Sequence, residues 1–161
     1  GKVLLPKSKK GILHVLSNDY LNKLWGCLMG EIHYRKNKKI TANQLAEVFR
    51  ASGIRRPVED KPRLEKMLKH ADILVTAWDG EKLIGVARAL TDYSYCCYLS
   101  DLAVDQGYQH KGIGKQLVNE VEMEIGDEAA LILLASPTAM DYYPKIGFNR
   151  IENGYMIPRK R

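Results

Sequence analysis

The sequence predicts an α+β fold, in which a mixed, mostly antiparallel central sheet is flanked by helices within a single domain. Apolar positions switch between strand and helix spacing in the order β-α-α-β-β-β-α-β-α-β-β. Three of the strand-like runs follow one another through short turns, which favours antiparallel pairing. The chain has 161 residues, of which 45% are hydrophobic and 27% charged. That length suits one globular core and is too short for two ordinary domains.

The first part of the domain is predicted to hold one strand and two helices. Residues 31–35 alternate between apolar and polar positions, as a strand does. Thr41-Ala42-Asn43-Gln44 matches a capping box, so a helix is expected to begin there and to stop at Gly53. Asp60 is placed to cap a second helix.

The middle of the chain holds three consecutive strand-like runs, at residues 72–78, 82–91 and 95–104. Asp79-Gly80-Glu81 between the first two is a hairpin signal. A helix is expected after the glycines at 112 and 114, because apolar residues then recur at steps of three and four. They are Ile113, Leu117, Val118, Val121 and Ile125.

The last part of the chain predicts a buried strand, a short helix and a closing hairpin. Residues 131–135 form a continuous apolar run, as in a strand covered on both faces. Residues 139–146 predict a short helix interrupted by Pro144. Residues 148–152 and 155–158 are expected to pair around an Asn-Gly turn.

The positive charge is concentrated at the N-terminus. The net charge is +6 over the whole chain, but residues 1–40 hold nine basic and two acidic groups, so the remainder is close to neutral. Residues 1–28 are therefore interpreted as a basic extension, partly disordered or non-native, and residues 29–161 as the folded domain. A solvated tail and a nucleic-acid arm are both open interpretations of the extension.

Composition also bears on location and redox state. No apolar run is long enough to span a membrane, and the N-terminus lacks a signal-peptide pattern. Three cysteines, two of them adjacent at Cys96 and Cys97, do not make a disulfide framework. The four histidines are scattered, and no spacing suggests a metal site. These features predict a cytoplasmic protein without a metal.

The helix that begins at Gly112 and Gly114 is a candidate anion site. A helix start presents unpaired backbone N–H groups and the positive end of the helix dipole, and glycines let a phosphate approach. A P-loop is excluded because Ile113 and Gly114 stand where Lys and a hydroxyl residue belong. The dinucleotide fingerprint is excluded because Leu117 replaces its third glycine. A simple packing turn is the alternative interpretation.

This stretch resembles the signature of the GNAT superfamily of acetyl-CoA-dependent N-acetyltransferases. The family motif, Gln/Arg-x-x-Gly-x-Gly/Ala, stands here as residues 109–114, QHKGIG. A second family element stands at residues 143–148, YPKIGF, in the family's order and at its usual separation. The resemblance covers the chain from about Ile32 to its C-terminus. It implies the family's fold, an enzymatic activity, and acetyl-CoA as the acetyl donor.

The resemblance also implies which residues meet the cofactor. The glycine turn would hold the diphosphate, and the preceding strand would meet the pantetheine arm where it separates from the strand at 131–135. Ser136 would touch the cofactor beside that strand. The cofactor-binding residues predicted in this way are Leu102, Ala103, Val104, Gln109, His110, Lys111, Gly112, Ile113, Gly114, Lys115 and Ser136.

Two residues are predicted to act in catalysis. Tyr143 occupies the family's general-acid position, and a phenol is a suitable proton donor to a leaving thiolate; Tyr142 is expected to face the core. Asp101 is the candidate base, because a carboxylate in an apolar strand is costly to bury unless it faces water or accepts hydrogen bonds. A structural role for Asp101, or a water relay in its place, remains open.

The acceptor cannot be identified from the sequence. A small primary amine is expected, with aromatic residues such as Tyr98 and Trp78 as a mild indication of an aromatic one. In the family the two early helices wall the acceptor pocket, so Arg55 and Arg56 would meet an acidic substrate, or would simply be solvated. A non-catalytic acetyl-CoA-binding module and a nucleic-acid-associated domain are the alternative functions. A homodimer is a further expectation, since family members often pair through sheet edges.

Overall fold

The computed structural model describes residues 30–160, so the predicted extension at 1–28 lies outside the described residues. The core of the fold is one five-stranded sheet whose strands lie in chain order. They are β1 (Ile32–Lys36), β2 (Ile73–Asp79), β3 (Lys82–Thr91), β4 (Cys96–Val104) and β5 (Ala130–Leu133). Strands β1 to β4 are antiparallel, and β5 runs parallel to β4. The predicted mixed, mostly antiparallel sheet is confirmed.

Three helices cover the two faces of the sheet: α1 (Ala42–Ser52), α2 (Lys61–Lys69) and α3 (Ile113–Ile125). Neighbouring residues of a strand point to opposite faces, and the core divides accordingly. Leu74 of β2 packs in the cluster formed with α1 and α2, whereas Val75 packs in the cluster formed with α3. The α1 residue Phe49 and the α3 residue Leu117 are each fully buried. Burial of these two apolar layers holds the helices on the sheet.

The first two helices begin as the sequence predicts. The Gln44 N–H donates to Thr41 Oγ1 at 3.1 Å, and the Thr41 N–H donates to Gln44 Oε1 at 2.9 Å. These two bonds complete a capping box and satisfy backbone donors that the helix cannot. Asp60 caps α2 by accepting from the Arg63 N–H at 3.1 Å. The linker between the helices, residues 53–60, is thus fixed where it enters α2.

The turn into β4 is held by one aspartate. The Asp92 carboxylate accepts hydrogen bonds from the backbone N–H groups of Ser94, Tyr95 and Cys96. These bonds favour the charged form and lower the pKa of Asp92 to about 2. The turn therefore sets the start of β4, the strand that carries the candidate site.

Two irregularities in β4 create a cleft. Arg88 pairs with Asp101, but the next residue of β3, Ala89, pairs with Leu99, so Ser100 is an extra residue that forms a bulge. The bulge reverses the alternation of side chains, and Asp101 turns toward the face of α1 and α2. On the other edge, pairing with β5 ends at Leu99. From there to Val104, β4 is still paired with β3 but no longer with β5. The two strands therefore separate over the second half of β4.

The C-terminal part of the chain differs from the prediction. The predicted hairpin at 148–158 is wrong, because residues 149–160 form neither strand nor helix. Ile151, Tyr155 and Ile157 are all more than half exposed. Alternation specifies a strand only where an edge is available to pair with and a face to bury, and an isolated hairpin is marginal.

Two further elements differ for related reasons. Strand β5 is four residues long and only partly buried, so its predicted full burial is wrong. The predicted helix at 139–146 is replaced by two short 3₁₀ turns, at Pro137–Ala139 and Tyr143–Ile146. Prolines near the start of each turn remove backbone donors that a longer helix needs. None of the helices in the described part of the chain is long and apolar enough to cross a membrane.

Candidate active site

The separation of β4 from β5 opens a cleft of about 1440 Å³. Its walls are the α1–α2 linker, the exposed half of β4, the glycine turn before α3, and the 3₁₀ turns at 137–146. Each wall comes from a different part of the chain, and the sheet brings them together. This cleft is the candidate active site.

The glycine turn presents free backbone donors to the cleft. The first hydrogen bond of α3 runs from the Gln116 N–H to the Gly112 carbonyl, and no side chain caps the helix. The N–H groups of residues 113–115 precede that bond and have no partner within the helix. They lie at the positive end of the α3 dipole, where an anion is favoured. The site therefore has the donors that a phosphate requires.

The two glycines of the turn have different roles. Gly112 adopts φ +79°, a left-handed conformation that favours glycine, and a Cβ there would meet no atom within 4 Å. Its backbone is thus open to an approaching ligand. A Cβ on Gly114 would lie 2.5 Å from the hydroxyl oxygen of Tyr142. Gly114 is needed for the close packing of that tyrosine, which the sequence analysis did not foresee.

Most of the predicted cofactor-binding residues line this cleft. Those that do so are Leu102, Ala103, Val104, Gln109, His110, Gly112, Ile113, Gly114, Lys115 and Ser136. Gln109 fixes the turn to the end of β4, because its side-chain amide donates to the Val104 carbonyl at 2.9 Å. Lys111 does not line the cleft; its Nζ donates to the Gly107 carbonyl at 3.3 Å. The structure brings the predicted residues together, and their contacts with a cofactor stay predictions.

Tyr143 lies half-buried in the wall opposite the linker. Its ring makes edge contacts with Tyr142 and Phe148, with ring centres 5.4 and 5.5 Å apart. Gly147, at φ +106°, reverses the chain so that Phe148 packs back on Tyr143. Burial and the neighbouring Tyr142 raise the pKa of Tyr143 above its ordinary value, and the Arg56 guanidinium opposes this rise. Tyr143 is therefore a protonated phenol that faces the cleft at neutral pH.

Tyr142 does not face the core as predicted. It is 37% exposed and lines the cleft, with its hydroxyl over Gly114. The segment 143–146 is a 3₁₀ turn rather than an α-helix, so the helical spacing that assigned Tyr142 to the buried side does not apply. Of the two aromatic residues that gave a mild indication of the acceptor, Trp78 is absent from the cleft wall and Tyr98 lines it.

Asp101 is fully buried beneath the cleft, between two arginines. The Arg88 Nε donates to Asp101 Oδ2 at 2.5 Å, and the Arg56 Nε donates to Asp101 Oδ1. Ser100, the bulge residue, joins both arginines: its carbonyl accepts from Arg56 at 2.7 Å and its hydroxyl from Arg88 at 2.9 Å. Of the two environments predicted for Asp101, contact with water or defined hydrogen bonds, the structure shows the second.

The partners of Asp101 were not found from the sequence. For Arg88, the available signal was a charged residue within an apolar strand, which suggests a buried partner. Arg56 comes from the linker, 45 positions before Asp101 in the sequence. Both oxygens of Asp101 are engaged by guanidinium groups, and Asp101 is not part of the cleft wall. A role as general base would require one of these ion pairs to break. The geometry favours the structural alternative, in which Asp101 holds the two arginines in place.

Replacing Asp101 with Asn is expected to lower the free energy of unfolding by about 3 kcal/mol, because the buried Arg88 and the partly buried Arg56 would lose their shared counter-ion. Denaturant unfolding monitored by circular dichroism measures this change. Glu59→Gln is the matched control, since its ion pair with Arg50 lies at the surface with the Glu59 side chain 85% exposed. That control should lose less than about 1 kcal/mol. Equal losses in the two variants would show that Asp101 is not a buried anchor.

No group of three or more His, Cys, Asp or Glu side chains suited to a metal occurs among residues 30–160. Cys97 is buried, and that burial raises the pKa of its thiol. Cys96 is exposed on the same strand and is not part of the cleft wall. The chemistry of the cleft therefore rests on its backbone donors, its tyrosines and its arginines.

The family model for the acetyltransferase (GNAT) domain matches residues 42–156. The chain is 24% identical over 131 residues to an uncharacterized N-acetyltransferase, ycf52, of Pyropia yezoensis, covering 77% of this chain and 74% of that protein. A probable acetyltransferase of unknown function from meticillin-resistant Staphylococcus aureus superposes with a TM-score of 0.70 at 23% identity, over 80% of this chain and 98% of that one. AAC(6')-Iy, solved with the bisubstrate analog CoA-S-monomethyl-acetylneamine, superposes with a TM-score of 0.61 at 19% identity, over 82% and 99% of the two chains.

The match of the family model spans most of the chain, and the fold agrees with it. The chain belongs to the GNAT family of acetyltransferases, and it is an acyltransferase enzyme.

Proposed function

We propose that this enzyme transfers the acetyl group of acetyl-CoA to a primary amine, most simply that of a small molecule, by direct attack. The observation that carries the proposal is the set of free N–H groups at the start of α3, beside an open Gly112. These donors share one cleft with Tyr143 and with the part of β4 that is no longer paired with β5. The arrangement supports an anion at one end and acyl transfer in the middle.

The residues present fit coenzyme A. The amides of residues 113–115 suit a diphosphate, and Lys115 adds positive charge at the same place. The unpaired edge of β4 suits an extended arm, because backbone groups there are free to pair as a further strand would. A structural neighbour holds a CoA bisubstrate analog, which supports this assignment. When bound, acetyl-CoA supplies the acyl group as an activated thioester.

The chain's own residues meet the remaining demands of the reaction. A backbone N–H of β4 beside the gap polarises the carbonyl that the amine attacks. Tyr143 Oη gives its proton to the departing thiolate, and its burial keeps it protonated until that step. The proton of the attacking amine is proposed to pass to water, the option that remains when Asp101 is held by two arginines. Asp101 then acts as a positioning residue and not as the base.

The other expectations from the sequence stay predictions. The homodimer, the cytoplasmic location and the boundary of the basic extension at residue 28 await separate measurement. Nothing in the cleft favours nucleic acid, whose binding was expected only of the extension.

A thiol-release assay tests the proposed function. Purified protein is incubated with acetyl-CoA and single amines of different classes, and free coenzyme A is measured with a thiol reagent. Release that depends on the amine, with the acetylated amine identified by mass spectrometry, is the expected result. Tight binding of acetyl-CoA without release for any amine would contradict the proposal and support the alternative of a non-catalytic binding module.

A further inference from the structure

We propose that the acceptor amine carries an anionic group, a carboxylate or a phosphate, which Arg56 binds with Arg88 behind it. The inference rests on the proposed function, because it names the class of acceptor that the same cleft takes. It excludes polycationic acceptors such as polyamines and aminoglycosides.

The first argument is the charge of the cluster Arg56–Asp101–Arg88. Two guanidinium groups share one carboxylate, so the cluster carries a net charge of one positive unit below the cleft. A buried charge without a counter-ion is costly, and an anion placed beside it is favoured. The cluster therefore has one positive charge without a counter-ion, although its hydrogen bonds are well ordered.

The second argument is the set of donors that Arg56 still has. Its Nε donates to Asp101, its Nη1 to the Arg55 carbonyl at 2.8 Å, and its Nη2 to the Ser100 carbonyl at 2.7 Å. An arginine has five N–H groups, so two of those on Arg56 remain available. The Arg56 side chain is 27% exposed and lines the cleft, whereas that of Arg88 is only 7% exposed. Arg56 is thus pre-oriented, since its aim is fixed by three bonds before any ligand arrives.

The third argument is the composition of the surrounding wall. Arg55 and Arg63 line the same end of the cleft as Arg56, and none of the described lining residues is Asp or Glu. The carboxylate of Asp101, which lies beneath the cleft, is already engaged by two arginines. A polycation would therefore meet like charge and no counter-ion, which makes its binding unfavourable.

The fourth argument is the position of Arg56 in the cleft. Arg56 and Tyr143 line the same cleft, so an anion on Arg56 shares that cleft with the group that donates the proton. His110 and Lys115 line the glycine-turn end, which the diphosphate would occupy. The arginines come from the linker and β3, whereas the glycine turn precedes α3, so the cleft has two groups of anion-binding residues from different elements.

Three amines that share a four-carbon chain and differ in charge at the far end test the proposal. They are 4-aminobutanoate, butylamine and 1,4-diaminobutane. Values of kcat/KM are measured by thiol release at fixed acetyl-CoA. O-phosphoethanolamine and ethanolamine form a second pair. Comparing its kcat/KM ratio with that of 4-aminobutanoate and butylamine shows whether a phosphate or a carboxylate is the preferred anion. We expect kcat/KM for each anion-bearing amine to exceed that for its partner without the anion by about tenfold or more, which corresponds to one charge-assisted hydrogen bond. A preference for 1,4-diaminobutane, or no discrimination, would overturn the proposal.

Arg56→Gln tests the residue directly. It should remove the preference for 4-aminobutanoate over butylamine, because the guanidinium that binds the anion is gone. The readout is the ratio of the two kcat/KM values within each variant. Arg56→Lys should keep part of the preference, because lysine retains the positive charge but not the paired N–H donors of a guanidinium. Arg35→Gln, an equal charge change on the exposed face of β1, should leave the preference intact. A preference that survives Arg56→Gln would contradict the assignment.

Binding is measured as well, so that the outcome does not depend on turnover. Isothermal titration of O-phosphoethanolamine and ethanolamine into protein saturated with coenzyme A should show saturable binding of the first, lost in Arg56→Gln. If no amine is acetylated but this binding is found, the proposed reaction fails and the anion site stands. If both amines bind equally, or neither binds, the anion site fails whatever the turnover.

Discussion

Replacing Gly112 with Asp is expected to weaken coenzyme A binding by about 100-fold. The backbone there is open, and a side chain would project where no protein atom lies within 4 Å. Asp is one of the few residues that tolerate a left-handed conformation, so the fold should survive the change. Its carboxylate would compete for the amides of α3 and would repel the diphosphate. Isothermal titration with coenzyme A measures the loss.

Two matched variants separate charge from strain. Gly112→Asn places a neutral side chain of the same size at the same backbone angle, and it should lose much less affinity than Gly112→Asp. Gly80→Asp makes the identical substitution at another left-handed glycine, φ +55°, in the turn between β2 and β3 and outside the cleft wall. It should bind coenzyme A as wild type does. Wild-type affinity in Gly112→Asp would contradict the assignment of the turn.

Replacing Tyr143 with Phe is expected to lower kcat by about 100-fold or more, the range for loss of a general acid. The affinity for coenzyme A should not change, because the ring and its packing against Phe148 are kept. Stopped-flow or steady-state thiol release measures kcat, and titration measures the affinity. Loss of both would indicate a structural role instead.

Tyr142→Phe and Tyr95→Phe are the controls for this prediction. Tyr142 also lines the cleft and is the rival proton donor, with a pKa that burial likewise raises. Tyr95 is 80% exposed and outside the cleft. If Tyr142→Phe loses turnover while Tyr143→Phe keeps it, the roles of the two tyrosines must be exchanged. Tyr95→Phe should behave as wild type.

The pH dependence follows from the raised pKa of Tyr143. A general acid acts in its protonated form, and a phenol whose pKa lies above its ordinary value near 10 stays protonated at lower pH. Turnover should therefore not fall between pH 7 and pH 10 through loss of the Tyr143 proton. It should rise over that range as the amine loses its own proton, and fall only at higher pH. A descending limb below pH 9 in the wild type, absent from Tyr143→Phe, would contradict this account.

Local signals in the sequence predicted much of the fold. The capping box at Thr41 and Gln44 forms as expected, because both partners lie within one turn of the chain. The three antiparallel strands and the helix after Gly112 were also predictable, since their apolar spacing and turn residues are local properties. The cleft itself follows from the separation of β4 and β5, which the resemblance to the family implied and the structure shows.

Features that depend on distant parts of the chain were not predictable from these signals. The bulge at Ser100 shifts the side-chain alternation of β4 by one position, and no local pattern marks it. The ion pair of Asp101 with Arg56 joins residues 45 positions apart. The C-terminal hairpin was predicted from alternation and an Asn-Gly turn, and in the structure that segment forms no strand. Long-range pairing decides each of these cases.

The central claim is that the amides at the start of α3 hold the diphosphate of coenzyme A and so aim its thioester along β4. A crystal structure of the complex with coenzyme A tests it most directly. The account predicts diphosphate oxygens within hydrogen-bond distance of the N–H groups of residues 113–115, and the sulfur beside Tyr143 Oη. A turn closed by the Tyr142 side chain, with the nucleotide bound elsewhere, would contradict it.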